Sequence, residues 1–206
     1  MGHREDAVIV NTIVRQALAA AEEVMGTNGL NAVLRLSNLD SFVNNLPPDN
    51  LEPAIKATEY AQFNQAIEDF YGRGGRGMLK RIGKASFQYA INEQPALLGV
   101  AGVALKLLPQ KQRIKFILNS MVSALTKSNP QVEAWVEEEG DILAYIESSC
   151  AICHSRKSDK EICYLYLGSL GEAVEWATGK TYEITETHCM AKGDPHCRFE
   201  IGEALE

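Results

Sequence analysis

Glu186-Thr-His-Cys189-Met-Ala-Lys-Gly-Asp-Pro-His-Cys197-Arg-Phe-Glu-Ile201 is the stretch from which the rest of the chain can be read. A Gly-Asp-Pro turn joins two short strands. Upstream, Tyr182-Glu-Ile-Thr-Glu186 alternates with period two, so Tyr182, Ile184 and Glu186 share a face. Downstream, Cys197, Phe199 and Ile201 share a face, with Arg198 and Glu200 opposite. The two apolar faces thus carry a carboxylate and a thiol inward. An inward carboxylate is costly unless it is paired or bound to a metal. Cys189 lies in the connection, three residues after Glu186 and eight before Cys197.

Moving outward, Glu161 to Thr178 has helical spacing. Ser158-Asp-Lys-Glu161 has the form of a capping box, and Gly179 follows the end. Cys163 falls in the first turn of this helix, where the dipole favours a thiolate, on the face of Leu167, Leu170 and Val174. Cys163, Glu186, Cys189 and Cys197 make a closed tetrahedral donor set, as a structural zinc requires. The plainer alternative is four small buried side chains, since free cysteine behaves as a small hydrophobe. Cys150-Ala-Ile-Cys153-His154 adds a C-x-x-C pair. It is a possible redox pair, or with Cys163 it would hold an iron–sulfur cluster instead. His188 and His196 alternate away from the inward donors and read as surface residues; His3 carries no signal.

The remaining pattern is helical first and stranded later. Arg4 to Met25 reads as an amphipathic helix stopped by Gly26, and Leu30 to Leu36 as a short one. Residues 44–50 form a loop, and Pro53 opens a helix carrying Ile55, Tyr60, Phe63, Ile67 and Phe70. Tyr71-Gly-Arg-Gly-Gly-Arg-Gly77 leads into a further helix through Met78, Ile82, Ala85 and Tyr89. Two more follow, from Pro95 to Leu108 and from Gln110 to Lys127. Val132–Val136 and Ile142–Ile146 then alternate around Gly140-Asp141 as a hairpin. The expected fold is α+β: a helical N-terminal half packed on a small antiparallel sheet, with β-β-α-β-β order in the C-terminal half. Residues 1–50 read as an N-terminal helical segment and 51–206 as the remaining domain.

Composition narrows the class. The chain has 206 residues, 46% hydrophobic and 23% charged, so it is no disordered protein. Five cysteines, an odd number, do not suit a disulfide framework. The longest apolar stretch, Ala96 to Leu108, is too short and too interrupted for a membrane span. The start MGHREDAVIV is no secretory signal, so a cytoplasmic protein is expected. The net charge of -7 conceals a segment, Gly72 to Lys115, with nine bases and one acid. Such asymmetry fits either solvated helix faces or an anionic partner. Nucleic acid is a poor fit to an acidic chain without a basic, aromatic-interleaved stripe.

The tail 186–201, together with Cys163-Tyr-Leu-Tyr-Leu-Gly168-Ser-Leu-Gly171 and Tyr71-Gly-Arg-Gly-Gly-Arg-Gly-Met-Leu-Lys-Arg-Ile-Gly83, resembles the 4-vinyl reductase domain family. The family includes proteins associated with bacteriochlorophyll synthesis and the aromatic-sensing modules of bacterial transcription activators. Its fold is similar to TRAPP-type trafficking proteins. The resemblance implies zinc on Cys163, Glu186, Cys189 and Cys197, a hydrophobic pocket between sheet and helices, and a homodimer. It also implies that residues 1–50 are a dimerisation arm and 51–206 a ligand-binding domain with the zinc site. It does not place Cys150 and Cys153. No ATPase or DNA-binding segment is evident, so the chain is not expected to be an activator itself. For the pocket lining, burial logic offers Phe116, Trp135, Tyr145, Tyr166 and Leu167.

The family name suggests reduction of a tetrapyrrole vinyl group, which needs a nicotinamide, flavin or cluster. Gly72-Arg-Gly74-Gly-Arg-Gly77 formally matches G-x-G-x-x-G, but it follows a helical pattern rather than a buried strand. Arg73, Arg76, Lys80 and Arg81 would there meet an anionic group, such as a tetrapyrrole propionate or a partner protein. Four protein ligands on zinc leave no open position for catalysis. The expected function is therefore a zinc-stabilised carrier or sensor of a hydrophobic, aromatic or tetrapyrrole-like ligand. The alternatives are an enzyme or enzyme subunit reducing a chlorophyll precursor's vinyl group, and a pure adaptor surface.

Overall fold

In the computed structural model, which describes residues 6–93, 105 and 107–205, Val8–Val10 forms a strand, β1, where a helix was expected. Its β-branched run pairs antiparallel with β2, Pro53–Lys56, the segment read above as a helix start. Long-range pairing overrides local helical spacing at both places. The helices begin just after each strand. α1 spans Asn11–Leu36 and is broken at Gly26, whose φ of 74° is a glycine conformation. α2 spans Ala57–Tyr71. Its first turn is satisfied from both sides: the Lys56 N–H donates to Glu59 Oε2 at 2.8 Å and the Thr58 N–H to Asp6 Oδ1 at 2.9 Å.

Gly72–Gly74 makes a short turn into α3, Gly75–Glu93. The helix expected over Pro95–Leu108 lies largely outside the described residues. α4 spans Gln110–Ser128. The stranded half follows: β3 Ala134–Glu139, β4 Ile142–Glu147, α5 Tyr164–Thr178, β5 Tyr182–His188 and β6 Cys197–Ala204. The four strands form an antiparallel sheet in the order β3-β4-β6-β5. Ala134 pairs with Glu147 and Glu139 with Ile142 across the Gly140-Asp141 turn, and Tyr145 pairs with Phe199. The fold is α+β, with four helices among the described residues of the first half and the sheet in the second.

α5 is the central helix. It packs on α3, on α4 and on β5. Two glycines make its crossing with α3 a backbone contact. A Cβ on Gly168 would stand 1.9 Å from Lys80 O, and one on Gly83 1.9 Å from Leu165 O. The core beneath is continuous and includes Phe63, Leu79, Ile82, Tyr145, Leu170, Val174 and Phe199. Three bases of the positive segment pair with acids of neighbouring elements: Lys84 with Glu172 at 2.9 Å, and Lys111 and Lys115 with Glu138 at 3.0 and 2.7 Å. Part of the charge asymmetry is thus neutralised between α3 and α5 and between α4 and β3. No helix among the described residues is long and apolar enough to cross a membrane.

Candidate metal centre

Four segments deliver five buried thiols to one place. Cys150 and Cys153 stand on the loop after β4, Cys163 caps the N-terminus of α5, Cys189 follows β5, and Cys197 opens β6. The helix begins three residues later than its sequence pattern suggested. Glu161 does not form the capping box; it pairs with Lys192 instead, while Ser158 Oγ accepts from the Lys160 N–H. Cys163 is therefore the N-cap residue rather than part of the first turn.

The sulfur atoms are close: Cys150–Cys163 3.6 Å, Cys153–Cys197 3.4 Å, Cys163–Cys197 3.8 Å and Cys163–Cys189 3.9 Å. Four thiolates around one zinc at about 2.3 Å stand about 3.8 Å apart, so these spacings are those of a tetrahedral shell. Two complete sets of four donors arise. One is Cys163, Glu186, Cys189 and Cys197; the other is Cys150, Cys153, Cys163 and Cys197. Within each set the donor atoms lie within 4.8 Å of one another.

The donor chemistry fits a thiophilic cation. Glu186 is 6% exposed. Its Oε2 accepts the Cys163 N–H at 2.9 Å, while Oε1 is buried without a protein partner. Burial, then the neighbouring Cys189, pushes its pKa up to about 9. Among the described residues no base is bonded to this carboxyl, and a bound cation would supply the positive neighbour. Burial likewise pushes the Cys163 thiol well above the ordinary thiol range. Around these candidate donors the backbone is fixed. The Cys189 N–H donates to Asp194 Oδ2 at 2.8 Å and the Met190 N–H to Cys197 Sγ at 3.4 Å.

The loop that carries Cys150 and Cys153 also walls a cavity. Ala151 and Ile152, between the two cysteines, line a space of about 140 Å³ with Ala7, Ile9, Tyr60, Glu147, Leu165 and Tyr166. A neighbouring space of about 150 Å³ shares Ile13, Ser86, Leu125, Tyr166 and Ser169 with it, and adds Gln16, Met121 and Tyr145. Of the five residues proposed from sequence, Tyr145 and Tyr166 stand here, their rings tilted with centroids 5.7 Å apart and joined by Phe199. Phe116 packs instead beside Ile117 and Ala173, Leu167 lies in a groove on the outer side of α5, and Trp135 is half-exposed beside His196 at 5.8 Å. Arg73, Arg76, Lys80 and Arg81 are exposed. Lys80 and Arg81 line that same outer groove, and Arg76 stacks over Tyr164.

Gln16, Tyr60, Ser86, Glu147 and Ser169 were missed from sequence. Only Glu147 had a legible signal: the alternation Leu143, Tyr145, Glu147 puts it on the inward face of β4. Glu147 is 1% exposed, and burial raises its pKa to about 7, against hydrogen bonding from Tyr166 and with Cys153 adding to the rise. The folded protein thus holds this proton more tightly than the unfolded chain. Its ionisation therefore costs stability increasingly as pH rises from about 4.5 to about 7. Glu147→Gln should remove a loss on the order of 3 kcal/mol between those limits. Denaturant melts of both proteins at about pH 5 and pH 8 check this; equal pH dependence in the two would refute it.

Residues 145–203 match the family model described as the V4R domain. Over this stretch the chain is similar to the V4R domain. The match begins in β4 and takes in α5, β5 and nearly all of β6.

 All five cysteines, Glu147 and Glu186 fall within residues 145–203, so the matched stretch contains both donor sets in full. An uncharacterized protein of Methanocaldococcus jannaschii is 33% identical over 94 residues, 45% of this chain and 41% of that relative. The chain therefore matches less than half the length of that curated relative. Among solved structures, a variant of Tt H-NOX superposes with a TM-score of 0.62 at 12% identity, covering 94% of this chain and 93% of that one. The Fe(II) unliganded H-NOX protein from K. algicida gives 0.59 at 16% identity, covering 96% and 97%. An oxygen-binding H-NOX domain related to soluble guanylate cyclases gives 0.58 at 13%, covering 94% and 93%. At these identities the likeness is one of fold.

Proposed function

We propose that the protein is a binding module, a carrier or sensor, that holds a small aromatic molecule bearing one hydroxyl or amine, beside a structural zinc site on Cys163, Glu186, Cys189 and Cys197. The observation that carries this reading is a pair of orphaned polar atoms on the walls of the two adjoining apolar spaces. Gln16 Nε2, a donor, and Glu147 Oε2, an acceptor, are both buried without a protein partner. An unmet buried polar group costs about 1–3 kcal/mol, which a ligand hydroxyl meeting either of them would recover. The surrounding wall is aliphatic and aromatic, as a small-molecule site requires.

Size and chemistry favour a single ring over a tetrapyrrole. A dry cavity of about 150 Å³ accepts benzene, and each space here is of that order. Neither lining contains a histidine, cysteine, lysine or arginine among the described residues. A haem iron would thus lack its commonest axial ligands, and tetrapyrrole propionates would meet Glu147 rather than a base. Burial raises the Tyr60 and Tyr166 phenols, which disfavours the phenolate that iron would need. The heme named for an H-NOX neighbour is on these grounds not carried over.

Phenol and toluene, titrated calorimetrically into the purified protein, test the reading, with hemin as the tetrapyrrole probe. Phenol should bind more tightly than toluene. Gln16→Leu should weaken phenol about tenfold, the loss of one hydrogen bond, and leave toluene unchanged. Ser169→Leu, which fills the wall common to both spaces, should weaken both. Hemin binding without binding of either single ring would overturn the assignment. The metal part fails separately if protein purified with reductant holds no zinc.

A further inference from the structure

The zinc set proposed above accounts for only three of the five clustered thiols. Cys150 and Cys153 are no more distant from the cluster than the other three: Cys150 Sγ is 3.6 Å from Cys163 Sγ, and Cys153 Sγ is 3.4 Å from Cys197 Sγ. Both are fully buried, 0% and 2% exposed. We propose that the centre is binuclear: Cys150 and Cys153 hold a second thiophilic divalent cation, with Cys163 and Cys197 bridging the two ions. This inference rests on the first zinc site and adds to it.

The argument is one of spacing repeated across a shared edge. Cys163 and Cys197 belong to both donor sets. What completes the first set is Glu186-x-x-Cys189; what completes the second is Cys150-x-x-Cys153. Two residues between donors is the spacing with which one loop places two ligands on one ion. The two loops therefore offer equivalent pairs to the same edge, and each pair closes a four-donor shell. With a metal–sulfur distance of about 2.3 Å, a bridging edge drawn in to about 3.4 Å holds two ions about 3 Å apart. The observed edge is 3.8 Å, so the required closure is a few tenths of an ångström.

Charge points the same way. Six deprotonated donors would carry -6 in a buried site, and no lysine or arginine among the described residues is bonded to a cysteine sulfur or to Glu186. Two divalent ions reduce that to -2. Binding releases the thiol protons to solvent, since the thiolate is the ligand. An iron–sulfur cluster suits the site less well. It interposes irons and sulfides between its thiolates, whereas four donors within 4.8 Å surround one ion.

Metal content of full-length protein purified anaerobically with reductant decides the matter. Two zinc ions per chain are expected. Cys150→Ser/Cys153→Ser should retain one, and Glu186→Gln/Cys189→Ser should also retain one, on the other set. Co(II) titration of the metal-free wild type gives a readout independent of any variant. Sulfur-to-cobalt absorption should rise through two equivalents, and the spin signal should fall as the second ion couples through the bridging thiolates. One ion in the wild type, kept by Cys150→Ser/Cys153→Ser, overturns the binuclear centre and leaves the first site standing. One ion lost in that variant but kept by Glu186→Gln/Cys189→Ser overturns it and moves the single site to the four cysteines. No metal at all overturns both.

Discussion

Stripping the metal with a strong chelator should lower the melting temperature by roughly 10–20 °C, and Cys197→Ser should reproduce that loss and respond no further to chelator. The magnitude follows from what the centre joins. Cys163 fixes the start of α5, Cys189 the end of β5, Cys197 the start of β6, and Cys150 with Cys153 the loop beyond β4. Without a cation these elements meet through crowded thiols and a carboxyl whose Oε1 is unmet. Structural zinc contributes about 10–16 kcal/mol in small zinc-dependent peptides. This chain has a large core of its own, so a smaller share, about 5 kcal/mol, is expected to depend on metal. At about 2–4 °C per kcal/mol for a chain of this size, the stated fall results. Cys197 is the informative position because it belongs to both donor sets. A chelated wild type that melts with the untreated protein would show that the cluster is only a packed group of thiols.

The fold was legible where one face of an element is buried and the other is wet. The alternation Tyr182, Ile184, Glu186 and Cys197, Phe199, Ile201 placed the last two strands and turned Glu186 and Cys197 inward, and β5 and β6 follow it. The hairpin around Gly140-Asp141 was legible for the same reason. β1 was not. Val8-Ile-Val10 also fits a helical stripe, and only its pairing with Pro53–Lys56, more than 40 residues away, makes it a strand. The candidate site divides in the same manner. The positions of Glu186 and Cys197 follow from periodicity within β5 and β6, and Cys163 and Cys189 stand immediately beside α5 and β5. Cys150 and Cys153 lie on a loop, where periodicity gives no direction, so their arrival beside Cys163 and Cys197 is a tertiary fact. Gln16 and Ser86 reach the cavity from α1 and α3, and nothing local marks a polar residue on a buried helix face as a cavity wall.

Gly168→Ala should destabilise the protein by more than about 3 kcal/mol, at the upper end of what overpacking costs. The added Cβ would stand 1.9 Å from Lys80 O, 2.7 Å from Lys80 C and 2.9 Å from Lys80 Cα. All three are backbone atoms in the middle of α3, so no side chain can rotate away. The two helices must part instead, which loosens the packing of Leu79, Ile82, Leu165 and Leu170 around the crossing. Gly83→Ala meets Leu165 O at 1.9 Å from the other side and should cost a similar amount. The double variant tests the cause. If separation of α3 from α5 is the common cost, the second methyl enters a gap already opened, and the two losses add to clearly less than their sum. Gly171→Ala is the control on the same helix. Its Cβ would find only Ile184 Cγ1 at 3.8 Å, an ordinary contact, and alanine is the better helix former by about 1 kcal/mol. It should therefore melt at or slightly above wild type. The crossing also sets the cavity, since Leu165, Tyr166 and Ser169 flank Gly168 on α5. Phenol binding should accordingly weaken in Gly168→Ala and persist in Gly171→Ala. A Gly168→Ala protein that melts with wild type would mean that α3 and α5 do not cross backbone to backbone at this point.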